Sequence, residues 1–199
     1  MEFIIATNNP KKLRELERIL NPLGIEAVSA KDAGVKLDEV EETGTTFAEN
    51  AFLKANAAFK KTGMPAIADD SGLSVDALGG KPGVYSARYA GENATDEDRN
   101  NKLLEEMKNV PDEKRTAHFT SSVCCILPDG SKLAVEGICK GKIGYKPVGE
   151  DNFGYDPIFI YNNDKTFAQM TAEEKDKISH RGESLRMLQE ELKKYLEEN

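Results

Sequence analysis

Two adjacent carboxylates, Asp69 and Asp70, stand where the apolar run Ala66-Ile67-Ala68 stops, and cationic side chains gather near both ends of the chain. One group is Lys11, Lys12 and Arg14; the other is Lys175, His180 and Arg181. Neighbouring carboxylates repel unless a cation, a basic side chain or backbone N–H groups offset the charge. Their hard oxygens suit Mg²⁺, which takes one or two carboxylates and leaves its remaining positions to water and phosphate. Capping of a turn is the competing reading, because Asp and Ser bond their own backbone there. An apolar run bounded by turn formers reads as a buried strand, which puts both aspartates just past its carboxyl end. Open α/β sheets hold their ligands at that place.

The elements around these residues follow from local signals. Phe3 to Ala6 is a short apolar strand that breaks at Thr7-Asn8-Asn9-Pro10. Leu13, Leu16, Ile19 and Leu20 then recur at helical spacing, with Asn9 placed to cap and Pro10 suited to the first helical position. A helix amino terminus aims unpaired N–H groups and the positive end of its dipole at an anion. Basic residues in a first turn oppose that dipole, so Lys11, Lys12 and Arg14 call for a compensating anion such as phosphate; a solvated helix face is the alternative.

Thr46 and Glu49 form a capping box for a second helix, with Phe47, Phe52, Ala55 and Phe59 as its expected buried stripe and Gly63 as its stop. Glu41 and Glu42 precede it, placed either to complete a metal site with Asp70 or to answer the helix dipole. The glycine-rich loop from Gly79 to Gly83 lets a ligand approach the backbone, or is a surface hairpin; Tyr85 and Tyr89 flank Arg88 like a packed wall. Thr95 and Asp98 box a third helix with Leu103, Leu104 and Met107 facing inward. Strand-like runs from Arg115 to Leu127 and Lys132 to Cys139 are joined by Pro128-Asp129-Gly130-Ser131, so part of the sheet is antiparallel. His118 has no second histidine or cysteine at ligand spacing and reads as structural.

The turn Asn152-Phe153-Gly154-Tyr155-Asp156-Pro157 places aromatic faces and a carboxylate at a loop edge. That set can hold a flat base, or can simply anchor a turn. Thr171 and Glu174 box a last helical stretch, interrupted at Ser179-His180-Arg181-Gly182 and continued by Leu185, Leu188, Leu192 and Leu196.

At 199 residues the chain suits one unit or two lobes sharing a sheet. A net charge of -8 argues against a nucleic-acid grip, so phosphate, if handled, needs a local basic pocket. No apolar run reaches membrane-spanning length and the amino terminus lacks the order of a secretion signal, which places the chain in the cytoplasm with no membrane partner. Three cysteines, two of them adjacent, make neither an even disulfide set nor a metal motif and read as small buried hydrophobes.

Five blocks, taken in order, resemble the inosine triphosphate pyrophosphatase (Ham1-like) family. They are ATNNPKKLREL, EETGTTFAENAFLKA, PAIADDSGLSVDALGGKPGVYSARYAG, FGYDPIF and EEKDKISHRGESL, and they span nearly the whole chain. The resemblance implies an α/β fold, a single two-lobed domain over residues 1–199 with a long mixed β-sheet flanked by helices and an active cleft between the lobes. It also implies a Mg²⁺-dependent, homodimeric hydrolase that cuts ITP, dITP or XTP to the monophosphate and pyrophosphate. Matched motif by motif, Thr7, Asn8, Asn9, Pro10, Lys11 and Lys12 would bind the triphosphate. Glu41 and Asp70 would hold the metal, with Asp70 also the general base. Ser71, Phe153, Gly154, Tyr155, Asp156, Lys175, His180 and Arg181 would bind the rest of the substrate. Asn8 departs from the glycine that several members carry, while Lys12 falls at its matching position. The two cationic groups are accordingly expected to meet. A nucleotide sensor that does not cut its ligand and a phosphatase with an aspartyl-phosphate on Asp69 or Asp70 are the rival readings; the second lacks an Asp-x-Asp pattern.

Overall fold

Strand β1 (Glu2–Ile5) is apolar on both faces, as a parallel strand covered by helices on each side must be. It pairs in parallel with β2 (Glu26–Ser29) and with β3 (Ala66–Val75). The computed structural model describes residues 1–37, 40–150, 153–162 and 164–198, so Asn152 of the expected aromatic turn lies outside the described residues. Strands β4 (Thr116–Ile126) and β5 (Lys132–Ile143) form the expected hairpin. Leu127 N–H donates to Ser131 O at 2.9 Å at the turn, and Ile143 N–H donates to Arg115 O at 2.9 Å at the open end. Short antiparallel strands β6 (Phe159–Tyr161) and β7 (Lys165–Thr166) complete a mixed seven-stranded sheet of order β2-β1-β3-β4-β5-β6-β7.

The chain divides into two compact units. The first holds Met1–Asp70, Ser121–Gly137 and Glu183–Asn199. Its sheet sorts side chains by parity: Phe3, Ile5, Ile67, Val123 and Cys125 pack with Leu16 of α1 (Pro10–Leu20) and Leu188 of α5 (His180–Glu198). Ile4, Ala66, Ala68, Cys124 and Ile126 pack on the other face with Ala51, Ala55 and Ala58 of α2 (Phe47–Thr62). Pleat alternation therefore sends the adjacent cysteines to opposite faces, and all three cysteines are buried as thiols rather than disulfides.

The second unit, Ser71–Thr120 with Ile138–Gly182, gathers Leu73, Leu103, Phe119, Tyr155, Phe159 and Phe167. It contains α3 (Asp96–Glu106) and α4 (Ala172–Ile178). Arg115 is almost fully buried there; its guanidinium donates to the carbonyls of Met107, Val110, Ile143 and Gly144 at 2.6–3.2 Å. Four carbonyls satisfy the planar fork, which fastens the end of α3 to β5.

Three expectations change. The strand carrying the aspartates does not stop at Ala68 but continues through Asp69, Asp70 and Ser71 to Val75, because the ladder needs only backbone groups and the carboxylates find lysines. The phenylalanines of α2 are not its buried stripe: Phe52 is exposed, and Phe47 and Phe59 are half-buried. Alanines let that helix approach the sheet more closely than phenylalanines would. The break at Ser179 to Gly182 is a junction, with α5 beginning at His180.

Ala55→Leu is expected to destabilise the protein by about 1–3 kcal/mol through overpacking. Phe52→Ala is expected to lose about 1 kcal/mol or less, not the roughly 3–5 kcal/mol of a buried phenylalanine. Urea unfolding midpoints decide; the reverse ranking would restore the phenylalanine stripe.

Candidate active site

The loop after β1 is held by its own polar groups. Asn9 N–H donates to Thr7 Oγ1 at 3.1 Å, and Asn9 Oδ1 accepts from Lys11 N–H at 2.9 Å and Lys12 N–H at 3.4 Å. Pro10 has no N–H, and Leu13 N–H bonds Asn9 O at 3.0 Å. The expected free donors of the α1 terminus are thus already met by Asn9, and the cationic feature left at the turn is side-chain charge. Lys12 Nζ lies 2.8 Å from Asp69 Oδ2, a carboxylate almost completely buried.

Asp70 meets a different set. Its Oδ2 accepts from Asn50 Nδ2 at 3.2 Å and its Oδ1 lies 3.3 Å from Lys54 Nζ, which also sits 3.0 Å from Glu42 Oε1. Asn50 and Lys54 are four residues apart on α2, hence on one helix face. Asn50 Oδ1 in turn accepts from Gly44 N–H at 2.8 Å, and a Cβ on Gly44 would stand 2.5 Å from that oxygen. Glycine in the EETG block is what permits this approach. Burial pushes the Asp70 carboxyl above its ordinary 3.8, although Lys54 and Lys12 pull it down. Burial works against the charge on Lys54, yet Asp70, Asp69 and Glu42 outweigh it and raise that ammonium.

In the second unit, the side chain of Ser179 accepts from Gly182 N–H at 3.1 Å and starts α5, which fixes His180 and Arg181 in its first turn. Arg181 Nη2 donates to Ser71 Oγ at 3.1 Å. The His180 ring stacks on Phe119, centroids 4.7 Å apart and planes 11° from parallel. Lys175 pairs with the buried Asp156 and lies 5.4 Å from the Phe153 centroid and 5.5 Å from that of Phe167. Tyr155 is buried, its hydroxyl donating to Ser86 O at 2.8 Å, so it anchors the turn while Phe153 keeps a half-exposed face. Gly154 supplies the left-handed residue at φ +57° that this turn requires.

Thr7, Asn9, Lys12 and Asp70 thus share the first unit, and Ser71, Phe153 to Asp156, Lys175, His180 and Arg181 share the second. Asn8 and Lys11 lie in the first-unit loop as well. Glu42, not the exposed Glu41, is the glutamate that Lys54 joins to Asp70. Asn50, Lys54 and Phe119 were not singled out from sequence; the i,i+4 pair Asn50 and Lys54 on the alanine face of α2 was the available signal.

Comparison with known proteins identifies the family of the chain. The sequence model of the Ham1 family matches residues 3–191. The chain belongs to the Ham1 family. Among Ham1 relatives, the dITP/XTP pyrophosphatase of Escherichia coli (strain K12) is 50% identical over 199 residues, covering 96% of this chain and 98% of that one. The dITP/XTP pyrophosphatase of Bacillus subtilis (strain 168) is 50% identical over 188 residues, covering 94% of each. A solved Ham1 structure, that of the protein from Coxiella burnetii, matches with a TM-score of 0.90 at 41% identity across 98% of this chain and 99% of that one. The mixed α/β sheet with flanking helices is therefore the Ham1 fold.

A divalent cation fits the first-unit set. Among the described residues no three or more His, Cys, Asp or Glu side chains form a ready cage. Two carboxylates sharing one ammonium are instead the small hard donor set that a phosphate-binding dication takes from protein.

The two aspartates should separate in a stability measurement made with chelator present. Because the folded-state value of Asp70 lies above 3.8, its ionisation costs stability, a cost absent below 3.8 and complete above the folded value. Asp70→Asn relieves that cost but also takes from Lys54 the charge that most offsets its own burial, so at neutral pH it should lose less in melting temperature than Asp69→Asn, which strips Lys12 of its buried partner. Scanning calorimetry from acid to neutral pH checks both; a larger loss for Asp70→Asn than for Asp69→Asn at neutral pH contradicts the assignment.

Proposed function

We propose that this chain is a hydrolase that converts ITP, dITP or XTP to the nucleoside monophosphate and pyrophosphate, using Mg²⁺. The observation that carries the reading is half identity over nearly full length with enzymes named dITP/XTP pyrophosphatases. The site geometry supplies a chemistry for it. When bound, Mg²⁺ offsets phosphate charge and lowers the pKa of a coordinated water.

The residues of this chain do the rest. Asp70, with Glu42 or its neighbour Glu41, would hold the cation. Asp70 is also the general base: burial raises its proton affinity toward the operating range, and Asn50 fixes the rotation of its carboxylate. Water attacks the α-phosphorus in line, Asp70 takes its proton, and pyrophosphate leaves. Lys12, aided by Lys11 and the Thr7 to Pro10 loop, binds the departing phosphates. Phe153 stacks on the base, and Ser71, Asp156, Lys175, His180 and Arg181 surround the nucleoside. Donors from His180 or Arg181 suit a 6-keto oxygen; the amino group of adenine would leave them unpaired, which discriminates strongly. The reading carries with it a cytoplasmic homodimer of single-domain, two-lobed chains that acts on free nucleotides.

Product analysis over ITP, dITP, XTP, ATP and GTP, with and without chelator, tests this. Pyrophosphate should be the first product from the first three and should vanish with chelator. Asp70→Asn should lower kcat by about 10²–10⁴-fold with substrate binding kept, and Glu42→Gln should cost more activity than Glu41→Gln. Binding of ITP without cleavage would favour a sensor, and inorganic phosphate as the first product would rule the mechanism out.

A further inference from the structure

Gly154, in the turn that carries Phe153 and Asp156, has both backbone polar groups taken by one helix. Its N–H donates to Asp96 Oδ2 at 2.9 Å, and its carbonyl accepts from Asn100 Nδ2 at 3.0 Å. Asp96 and Asn100 lie one turn apart on α3, more than fifty residues away in sequence. A side-chain carboxylate and amide at i,i+4 thus read a single residue as a strand neighbour would, from a helix.

The clasp is itself fixed. Arg99 pairs with the second oxygen of Asp96 and donates through Nη1 to Ala87 O at 2.8 Å and Ala94 O at 2.6 Å. On the other side of the turn, Tyr155 donates to Ser86 O, while Ser86 Oγ accepts from Leu73 N–H at 2.9 Å. Asn100 is 4% exposed, and its Oδ1 has no hydrogen-bond partner among the described residues. An amide whose oxygen is left unmet is a poor choice for holding a fold together, since an apolar residue of that shape would avoid the loss. Its retention makes sense where the amide nitrogen is needed at one carbonyl.

We propose that Asp96 and Asn100 are positioning residues for base recognition: by clamping Gly154 they set where the Phe153 ring and the Asp156–Lys175 pair stand, and so the choice among purine bases. This rests on the hydrolase reading above and extends it to α3. Neither residue is among those assigned to the substrate or the reacting atoms, so the phosphate chemistry at Asp70 is expected to proceed without them. Their loss therefore moves KM and base preference while leaving kcat close to the parent value.

The test uses the full chain with Mg²⁺. Asp96→Ala removes the acceptor, Asn100→Asp keeps the volume but sets a carboxylate against the Gly154 carbonyl, and Asp96→Asn retains an acceptor oxygen. Steady-state kinetics on ITP and ATP are paired with hydrogen exchange at the Gly154 amide, measured without substrate. In Asp96→Ala and Asn100→Asp, the KM for ITP should rise and the ITP-to-ATP ratio of kcat/KM should fall by roughly tenfold or more. Exchange at Gly154 should accelerate in Asp96→Ala, and Asp96→Asn should recover most of both. If the parent cuts ITP and both disruptive variants keep its KM and base preference, the positioning role is overturned while the hydrolase stands. If the parent releases no pyrophosphate from ITP, the hydrolase reading falls and this role falls with it. Should Asp96→Ala not fold, Asn100→Asp against Asp96→Asn decides alone.

Discussion

Two ionised carboxylates can sit side by side in a covered strand because the pleat turns them to opposite faces, where a different helix meets each with a lysine. Asp69 shares parity with Ile67 and faces the α1 side, where Lys12 pairs with it. Asp70 shares parity with Ala66 and Ala68 and faces the α2 side, where Lys54 and Asn50 wait. A unit charge pair at contact is worth about 4 kcal/mol at an intermediate dielectric, which is comparable to what burial takes from each ion. Neither carboxylate would stay ionised in that strand without its helix. The placement of α1 and α2 against the sheet is thus tied to the charges on β3 as firmly as to the apolar layers beneath.

The two faces resolve the balance differently. On the Asp69 side a nearly buried carboxylate meets Lys12 through one oxygen, which ties that lysine to β3 beside the first loop. On the Asp70 side compensation is incomplete, since burial still raises the carboxyl despite two nearby ammonium groups. Incomplete compensation is what a general base or cation ligand needs: a carboxylate fully satisfied by lysine would have little affinity left for a proton or a metal. The alanine face of α2 matters for the same reason. It brings the helix close enough for Asn50 and Lys54 to reach β3, and Gly44 lets the preceding segment close over Asn50.

Local signals in the sequence were read correctly where the physics is local. Asn9 and Pro10 start α1, Thr46, Thr95 and Thr171 each form the capping box their spacing announces, and Gly63 ends α2 in the left-handed conformation. What could not be read depended on contacts between distant segments. The aspartates looked like a strand terminus because unpaired carboxylates end strands, and nothing near them in sequence names Lys12 or Lys54 as partners. The phenylalanines of α2 outranked its alanines on hydrophobicity, yet distance to the sheet chose the small residues. Glu41 and Glu42 are neighbours in the sequence, and that Lys54 pairs with Glu42 shows only in the fold. The family motifs marked Gly154 without indicating that α3 holds it.

Charge in the first unit is shared by every nucleoside triphosphate. Lys12 and Lys54 are already engaged with Asp69, Asp70 and Glu42, so under the proposed reading a triphosphate would have to compete for them, and ATP would compete as well as ITP. Interactions common to right and wrong substrates raise affinity for both and select neither. Discrimination has to come from groups that meet the base, and the second-unit groups proposed for that role are each held by a neighbour: the buried Arg181 on Ser71, the buried His180 on Phe119, the half-buried Lys175 on Asp156. Such groups are costly to leave unpaired, so a base that offers a donor where they need an acceptor is rejected by the loss rather than by a clash. The proposed role of the bonds that hold Gly154 to α3 follows from the same requirement, because a turn able to shift could re-pair those donors with the wrong base and erase the penalty.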